Sequence, residues 1–429
     1  MIQTIRNAWR IPELRRKILF TLFILLIYRF GSAIPVPYID TAALKSIMES
    51  LDNTIFGMMN MMSGGALSQA TIFSLSIQPY INASIIINLL TVSIPALERM
   101  AKEGGEEGKK KIAAITRYAT VGLGLLMGFG YYMALANTYG LVINNSVWTA
   151  TVIILTFTAG SAFIMWLGEQ ITEFGIGNGI SIILFASIIS RGPAVIMSAY
   201  NAIFVTKDAN WIEGISVAVL ALLVVGFVVF ITNAERRIPV QYAKRVVGRK
   251  MYGGQSTHIP MKVNMSGVMP IIFAQSFASF PRTIALFFPT PEVGSFWDGF
   301  LKAIDTQSAF YAIFYFVLII AFSYFYTSIQ FNPIEIANNL RKNGGFVPGF
   351  RPGKPTSDFI NKVLNKITLF GAIFLGIIAV LPIVMSRFVS ISGLALGGTS
   401  VLIVVGVALE TVKQLESQML MRHYKGFLE

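Results

Sequence analysis

The stretch EGISVAVLALLVVGFVVFITN, residues 213–233, carries one charge, at its first residue, and then runs apolar to its end. Twenty such residues rise about 30 Å as a helix, the thickness of a bilayer core. In lipid its backbone can satisfy its own hydrogen bonds only as a helix or a closed barrel. The same pattern recurs along the chain. Apolar stretches lie at 18–34, 72–95, 118–137, 148–168, 180–200, 213–233, 267–289, 308–329, 367–386 and 393–412. With 54% hydrophobic and 13% charged residues, this is no soluble domain. The sequence predicts an all-α polytopic membrane protein with ten transmembrane helices.

The basic residues set the orientation. Of 34 Lys and Arg, all but Arg29, Lys45, Arg191, Lys207, Arg282, Lys302 and Arg387 fall in 1–17, 96–117, 234–266, 332–366 and 413–429. These are alternate gaps between the spans, together with the two ends. The positive-inside rule therefore places both termini in the cytoplasm. The net charge of +13 is explained by this sidedness, without a specific nucleic-acid sequence as partner. A basic cytoplasmic face suits anionic lipid. Cysteine is absent, which excludes disulfide and thiolate-metal chemistry. The basic triplet Arg15-Arg16-Lys17 before an apolar run imitates a signal peptide. It lacks a small-residue cleavage site, so it reads as a retained first span. Ahead of it, Ile2, Ile5 and Trp9 share a face apart from Arg6 and Arg10, which predicts a short helix on the inner membrane surface.

Ten spans divide into an N-terminal half, 1–200, and a C-terminal half, 201–429. Five is odd, so the halves would be inverted relative to each other, with a working site between them at mid-membrane. Two cytoplasmic loops, 234–266 and 332–366, are large and basic, the second stiffened by Pro348, Gly349, Pro352, Gly353 and Pro355. The outer segment 55–71 is half apolar, broken by Gly64-Gly65, and too short to span. It predicts a re-entrant half-helix buried by protein; a surface loop on the outer leaflet is the other reading. Met58, Met59, Met61 and Met62 would give it adaptable packing.

Five stretches carry a family resemblance: SGGALSQATIFSLSIQPYINASIIINLL at 63–90, GEQITEFGIGNGISII at 168–183, QSTHIPMKVNMSGVMPIIFA at 255–274, FNPIEIANNLRKNGGFVPGFRPG at 331–353 and GGTSVLIVV at 397–405. In this order they resemble the SecY family, the central channel of the bacterial Sec translocase. Read for themselves, Ile77, Ile81 and Ile85 form a stripe at i, i+4, i+8, and Ile180 and Leu184 a similar pair. Such stripes ordinarily face lipid or pack helices.

The resemblance implies a protein-conducting channel for unfolded preproteins that also releases transmembrane segments sideways into the bacterial cytoplasmic membrane. It implies a pore ring of Ile77, Ile81, Ile180, Leu184, Ile272 and Ile403, with Leu184 where isoleucine is expected. An apolar constriction would block ions by dewetting. It implies a plug at about 55–70, including Met58, Met62, Gly64 and Gly65. It places a lateral gate between spans two and three and spans seven and eight, with Asn82 opposite Phe280. Asn88, Gln275 and Ser276 would supply polar contacts there, or serve only to pack helices. The implied partners are the small subunits SecE and SecG, the SecA motor ATPase, and the translating ribosome. Arg249, Lys250 and Arg351 are the docking candidates, because their loops are the most basic.

Arg29, Arg282 and Arg387 are expected to snorkel to headgroups, as are Glu169 and Glu410. The two histidines, His258 and His423, lie in basic cytoplasmic segments, and no HExxH, P-loop or nucleophile elbow occurs. The GIGNG run at 175–179 reads as a tight connection, since no strand precedes it. No enzyme activity, cofactor or metal is expected. A secondary transporter would need ionisable residues inside spans. An intramembrane enzyme would need a paired nucleophile and base there. Neither is present.

Overall fold

The computed structural model describes residues 2–50, 55–102, 104–205, 210–242, 245–247, 250–252, 256–265, 267–285, 295–305, 308–385 and 397–425. In chain order the helices are α1 (Ile2–Arg10), α2 (Pro12–Gly31), α3 (Thr41–Ser50), α4 (Ile55–Met62), α5 (Gln78–Ser93), α6 (Pro95–Lys102), α7 (Gly105–Met133), α8 (Val147–Phe174), α9 (Gly179–Ser190), α10 (Gly192–Tyr200) and α11 (Trp211–Asn233). Strands β1 (Glu235–Tyr242), β2 (Arg245–Val247), β3 (Lys250–Tyr252) and β4 (Ser256–Lys262) follow. Then come α12 (Met269–Ala285), α13 (Phe296–Ala303), α14 (Ala309–Gln330), α15 (Pro333–Lys342), β5 (Gly345–Phe346), α16 (Lys354–Met385) and α17 (Gly397–Lys425).

Every expected span falls on a helix. Among the described residues six helical segments are long and apolar enough to cross a bilayer by themselves. A seventh, α5 with α6, qualifies as a pair bent by 104°. The bend falls at Pro95, which cannot continue the hydrogen-bond ladder. Helices α2, α12 and α17 overlap the remaining three expected stretches but do not meet that test among the described residues.

Local signals start several helices. Asn178 accepts from the amides of Ile180 and Ser181, at 3.1 and 3.3 Å, and so caps α9. Asn332 does the same for α15, with Pro333 following it. Ser146 and Ser308 cap α8 and α14. In α11 the buried positions are Val228 and Ile231, while Leu222, Leu223 and Phe230 are exposed and face lipid or a partner.

Two features go beyond the expectations. Segments 234–266 and 332–366, expected as large basic loops, are joined by a sheet. Strand β1 pairs antiparallel with β4 on one side and with β5 on the other, giving the order β4-β1-β5. Ile238, Val240 and Met261 point into a shared apolar cluster with Leu340, Val347, Ile360 and Leu364. Apolar residues alternate along β1, a period that suits one buried sheet face. The all-α class therefore carries a small sheeted lobe.

Helix α1 is the short helix expected ahead of the first span. Ala8 is fully buried with Leu14, Ile176 and Leu415, and Thr4 donates to Glu416 of α17 at 2.9 Å. It is also held against α17.

Candidate pore and plug

The ring residues come from four helices, two from each half of the chain. Ile81 belongs to α5, preceded by Ile77 at its cap position; Ile180 and Leu184 belong to α9, Ile272 to α12 and Ile403 to α17. Five of the six are 4% exposed or less, and all five share one apolar cluster, with Ile180 packed against it. Each is set by helix register: Ile77 and Ile81 are one turn apart, as are Ile180 and Leu184.

On one side of this cluster sits the 55–71 segment. Met61 and Met62 of α4 are 6% and 5% exposed, and Met62 joins the ring cluster. The chain then returns to α5 through turns, with Ala70 and Ser76 at positive φ. Gly64 has φ +68°, and an added Cβ would lie 2.9 Å from Ser190 Oγ. Only glycine fits this left-handed position without strain. The half-helix is therefore inserted among the other helices and does not lie on the outer leaflet. The side chain of Met58 lies outside the described residues.

Polar contacts hold this segment from several helices. Tyr28 of α2 shares a 2.7 Å hydrogen bond with Ser187 of α9 and donates to the Ser63 carbonyl at 3.4 Å. Arg29 donates to the Gly64 carbonyl at 3.4 Å and to Ser190 Oγ at 3.3 Å. From α12, Gln275 donates to Met62 Sδ at 3.1 Å; from α17, Ser400 donates to Met61 Sδ at 2.8 Å. Inside the segment, Asn60 accepts from the amides of Gly65 and Ser68. Interhelical polar contacts in membranes average about 0.6 kcal/mol each. Several weak bonds beside apolar packing therefore hold the segment.

On the other side of the ring is a cavity of about 380 Å³. Ile81, Ile180, Leu184 and Ile272 form its apolar end, and Ser84, Asn88, Thr172, Asn178 and Ser181 contribute polar wall. Arg117 of α7 pairs with Glu169 of α8 across 2.8 Å in this wall. Half-exposed pairs are worth at most about 1 kcal/mol. The pair places two charges in the cavity wall beside the apolar end.

The gate candidates have varied placements. Helices α5 and α12 pack against each other. Asn82 turns to Met127 of α7, its amide donating to Sδ at 3.7 Å. Phe280 is 47% exposed. Asn88 donates to Ser84 one turn away at 3.5 Å and lines the cavity. Gln275 faces the plug segment, and the Ser276 hydroxyl is buried with no partner among the described residues. Of the docking candidates, Arg351 is exposed between two glycines at positive φ, Gly349 and Gly353, and its carbonyl accepts from Thr356 at 2.8 Å. Lys250 begins β3, its side chain outside the described residues; Arg249 lies outside them altogether.

Sequence reasoning missed Tyr28, Ser187, Ser190 and Arg117. Arg29 was expected to reach headgroups and instead contacts the plug segment; Glu169 was expected to do the same and instead pairs with Arg117. The available signal was polar residues at spacing i, i+3 inside a span, as in Ser187 and Ser190. Arg387 and the Arg282 side chain lie outside the described residues. His258 is exposed on β4. Among the described residues no three His, Asp or Glu side chains converge as a metal site needs.

Residues 71–412 match the family model described as SecY. The chain is 46% identical to the protein translocase subunit SecY of Bacillus subtilis, over the full length of both. It is 45% identical, again over both full lengths, to that of Streptomyces coelicolor. Its fold is similar to a solved protein-conducting channel (TM-score 0.66, 19% identity, 94% of this chain and 92% of the other). It is also similar to Sec61 in a canine ribosome–channel complex from the endoplasmic reticulum (TM-score 0.63, 18% identity, 94% and 92%).

Proposed function

This chain belongs to the SecY family and is a multi-pass membrane protein that forms a protein-conducting channel, not an enzyme; on that premise we propose how its residues close and open the path. The observation that carries the proposal is the layering at the pore centre. Apolar side chains from four helices meet in one buried cluster, Met62 of the plug segment lies against that cluster, and a polar cavity opens elsewhere beside it.

The apolar ring excludes ions at rest, because water is unstable in a narrow apolar constriction. The same side chains are compressible around a passing unfolded chain. The plug, 55–70, reinforces the seal from outside and hinges away at Gly64-Gly65. The halves 1–200 and 201–429 are inverted repeats that separate between spans two and three and spans seven and eight. That opening releases apolar segments into lipid, with Asn82, Asn88, Gln275, Ser276 and Phe280 near the seam.

The membrane is the bacterial cytoplasmic membrane, with both termini inside. The working complex includes SecE and SecG, and it takes preprotein from the SecA motor or from a translating ribosome. Arg249, Lys250 and Arg351 serve docking, and anionic lipid borders the basic face.

The test is import. Vesicles carrying the purified chain with its small subunits, motor and ATP should protect an unfolded preprotein from added protease. Absence of protection, with uptake of a small solute instead, would favour a transporter and contradict the proposal.

A further inference from the structure

A second cavity, of about 760 Å³, lies away from the pore, between the sheeted lobe and the first turns of α16. One wall is a single face of α16, where Phe359, Lys362, Lys366 and Phe370 recur at three- and four-residue spacing. Arg236 of β1 and Phe350 of the proline-rich tip form the facing wall. Phe350 and Phe359 stack at 4.2 Å and close one end.

Arg236, Lys362 and Lys366 face Asp358 as the one acidic lining residue, so the groove is net basic. All three basic side chains are exposed, and none has an ion-pair partner among the described residues. The other end is apolar and open. Phe370, Ile373 and Ile377 are 58%, 37% and 54% exposed. They follow Lys366 at i+4, i+7 and i+11, so they continue its face along α16 into the expected span 367–386. A basic mouth thus leads directly onto an uncovered apolar track at the membrane boundary.

We propose that this groove binds one anionic phospholipid of the inner leaflet. Its phosphate lies against Arg236, Lys362 and Lys366, and an acyl chain lies along Phe370, Ile373 and Ile377. The inference rests on the orientation given above, with the lobe in the cytoplasm. A free phosphate ion would satisfy the three charges but leave the apolar track unused. An ordinary snorkelling lysine would need no facing wall, whereas here β1 supplies an arginine from a separate element. The bound lipid would tie β1 to α16 and so fix the lobe's position over the membrane.

The test uses the purified channel complex in nanodiscs that mix phosphatidylcholine with phosphatidylglycerol. Bound lipid is counted by native mass spectrometry after gentle extraction. Retained phosphatidylglycerol should fall on the order of tenfold in Lys362→Gln/Lys366→Gln, with phosphatidylcholine unchanged. Lys362→Arg/Lys366→Arg should retain it. Ile373→Ser/Ile377→Ser should weaken long-chain lipid more than a short-chain glycerophosphate.

Equal retention in the glutamine variant, at an unchanged melting temperature, would overturn the proposal. So would displacement of the lipid by inorganic phosphate alone, which marks a bare anion site. A photoreactive group at Phe370 that captures a protein subunit in place of lipid would also overturn it. Import measured on the same preparations separates the two readings. Lipid retained without any import by the wild type would count against the channel proposal alone; import without selective retention would count against the lipid site alone.

Discussion

The two sides of the ring are built differently. The plug side is dense: Met61 and Met62 are buried, and Tyr28, Arg29, Gln275 and Ser400 reach the segment from three other helices. The other side is a cavity of mixed apolar and polar lining with a partly exposed ion pair in its wall. On the proposed mechanism, resistance to passage is concentrated in the ring and the plug. A chain entering from the cavity would first meet Ile81, Ile180, Leu184 and Ile272, which line it. Opening would then require both that the ring widen and that weak plug contacts break.

The largest expected effect comes from locking the seam through which the ring must widen. The chain has no cysteine, so an introduced pair reports cleanly. Asn82→Cys with Phe280→Cys should crosslink at rest if their Cα atoms lie within about 7 Å. Oxidation should abolish import and lipid insertion, and reduction should restore both. Efficient crosslinking with undiminished import would show that this seam need not open.

A smaller effect is expected on the supply side. Arg351 sits exposed on a tip fixed by Gly349 and Gly353, and its guanidinium can make bidentate contacts that lysine cannot. Arg351→Glu should lower motor-driven import several-fold without changing the melting temperature. Equal import at equal stability would remove it from the docking surface.

The smallest effect sharpens the plug side. Tyr28→Phe removes the hydroxyl bonded to Ser187 and Ser63. At about 0.6–1.7 kcal/mol for such contacts, the displaced-plug population should rise roughly three- to eighteen-fold. Resting ion leak should increase modestly. Adding Arg29→Gln, which loses the guanidinium contact to Gly64, should increase it further. Unchanged leak in the double variant would show that packing of Met61 and Met62 alone holds the plug.

The spans were legible because membrane helices must be long and apolar, and 213–233 announces itself for that reason. The half-helix at 55–62 was legible from its length and its glycine pair. The ring was a different matter. An Ile77-Ile81-Ile85 stripe is indistinguishable by composition from a lipid-facing one, and only the family motifs singled it out. The lobe was hidden because the two-residue β5 lies far from β1 and β4 in sequence, and polar residues surround the few apolar ones of β1 and β4. The alternation of Ile238 and Val240 was the trace left for it. The contacts of Tyr28 and Arg29 were hidden for another reason. Their partners, Ser187 and Ser190, are more than 150 residues away, and only packing brings them together.

The central claim is that six apolar side chains form the seal. It is tested most directly by single-channel conductance of the reconstituted channel carrying Ile81→Asn or Ile403→Asn, beside the wild type. Each asparagine places a hydrogen-bonding group where water is otherwise unstable. The account predicts a quiet wild type and a marked resting ion current in both variants, at normal protein levels. Silent membranes in both variants, with the channel shown to be folded and inserted, would contradict it.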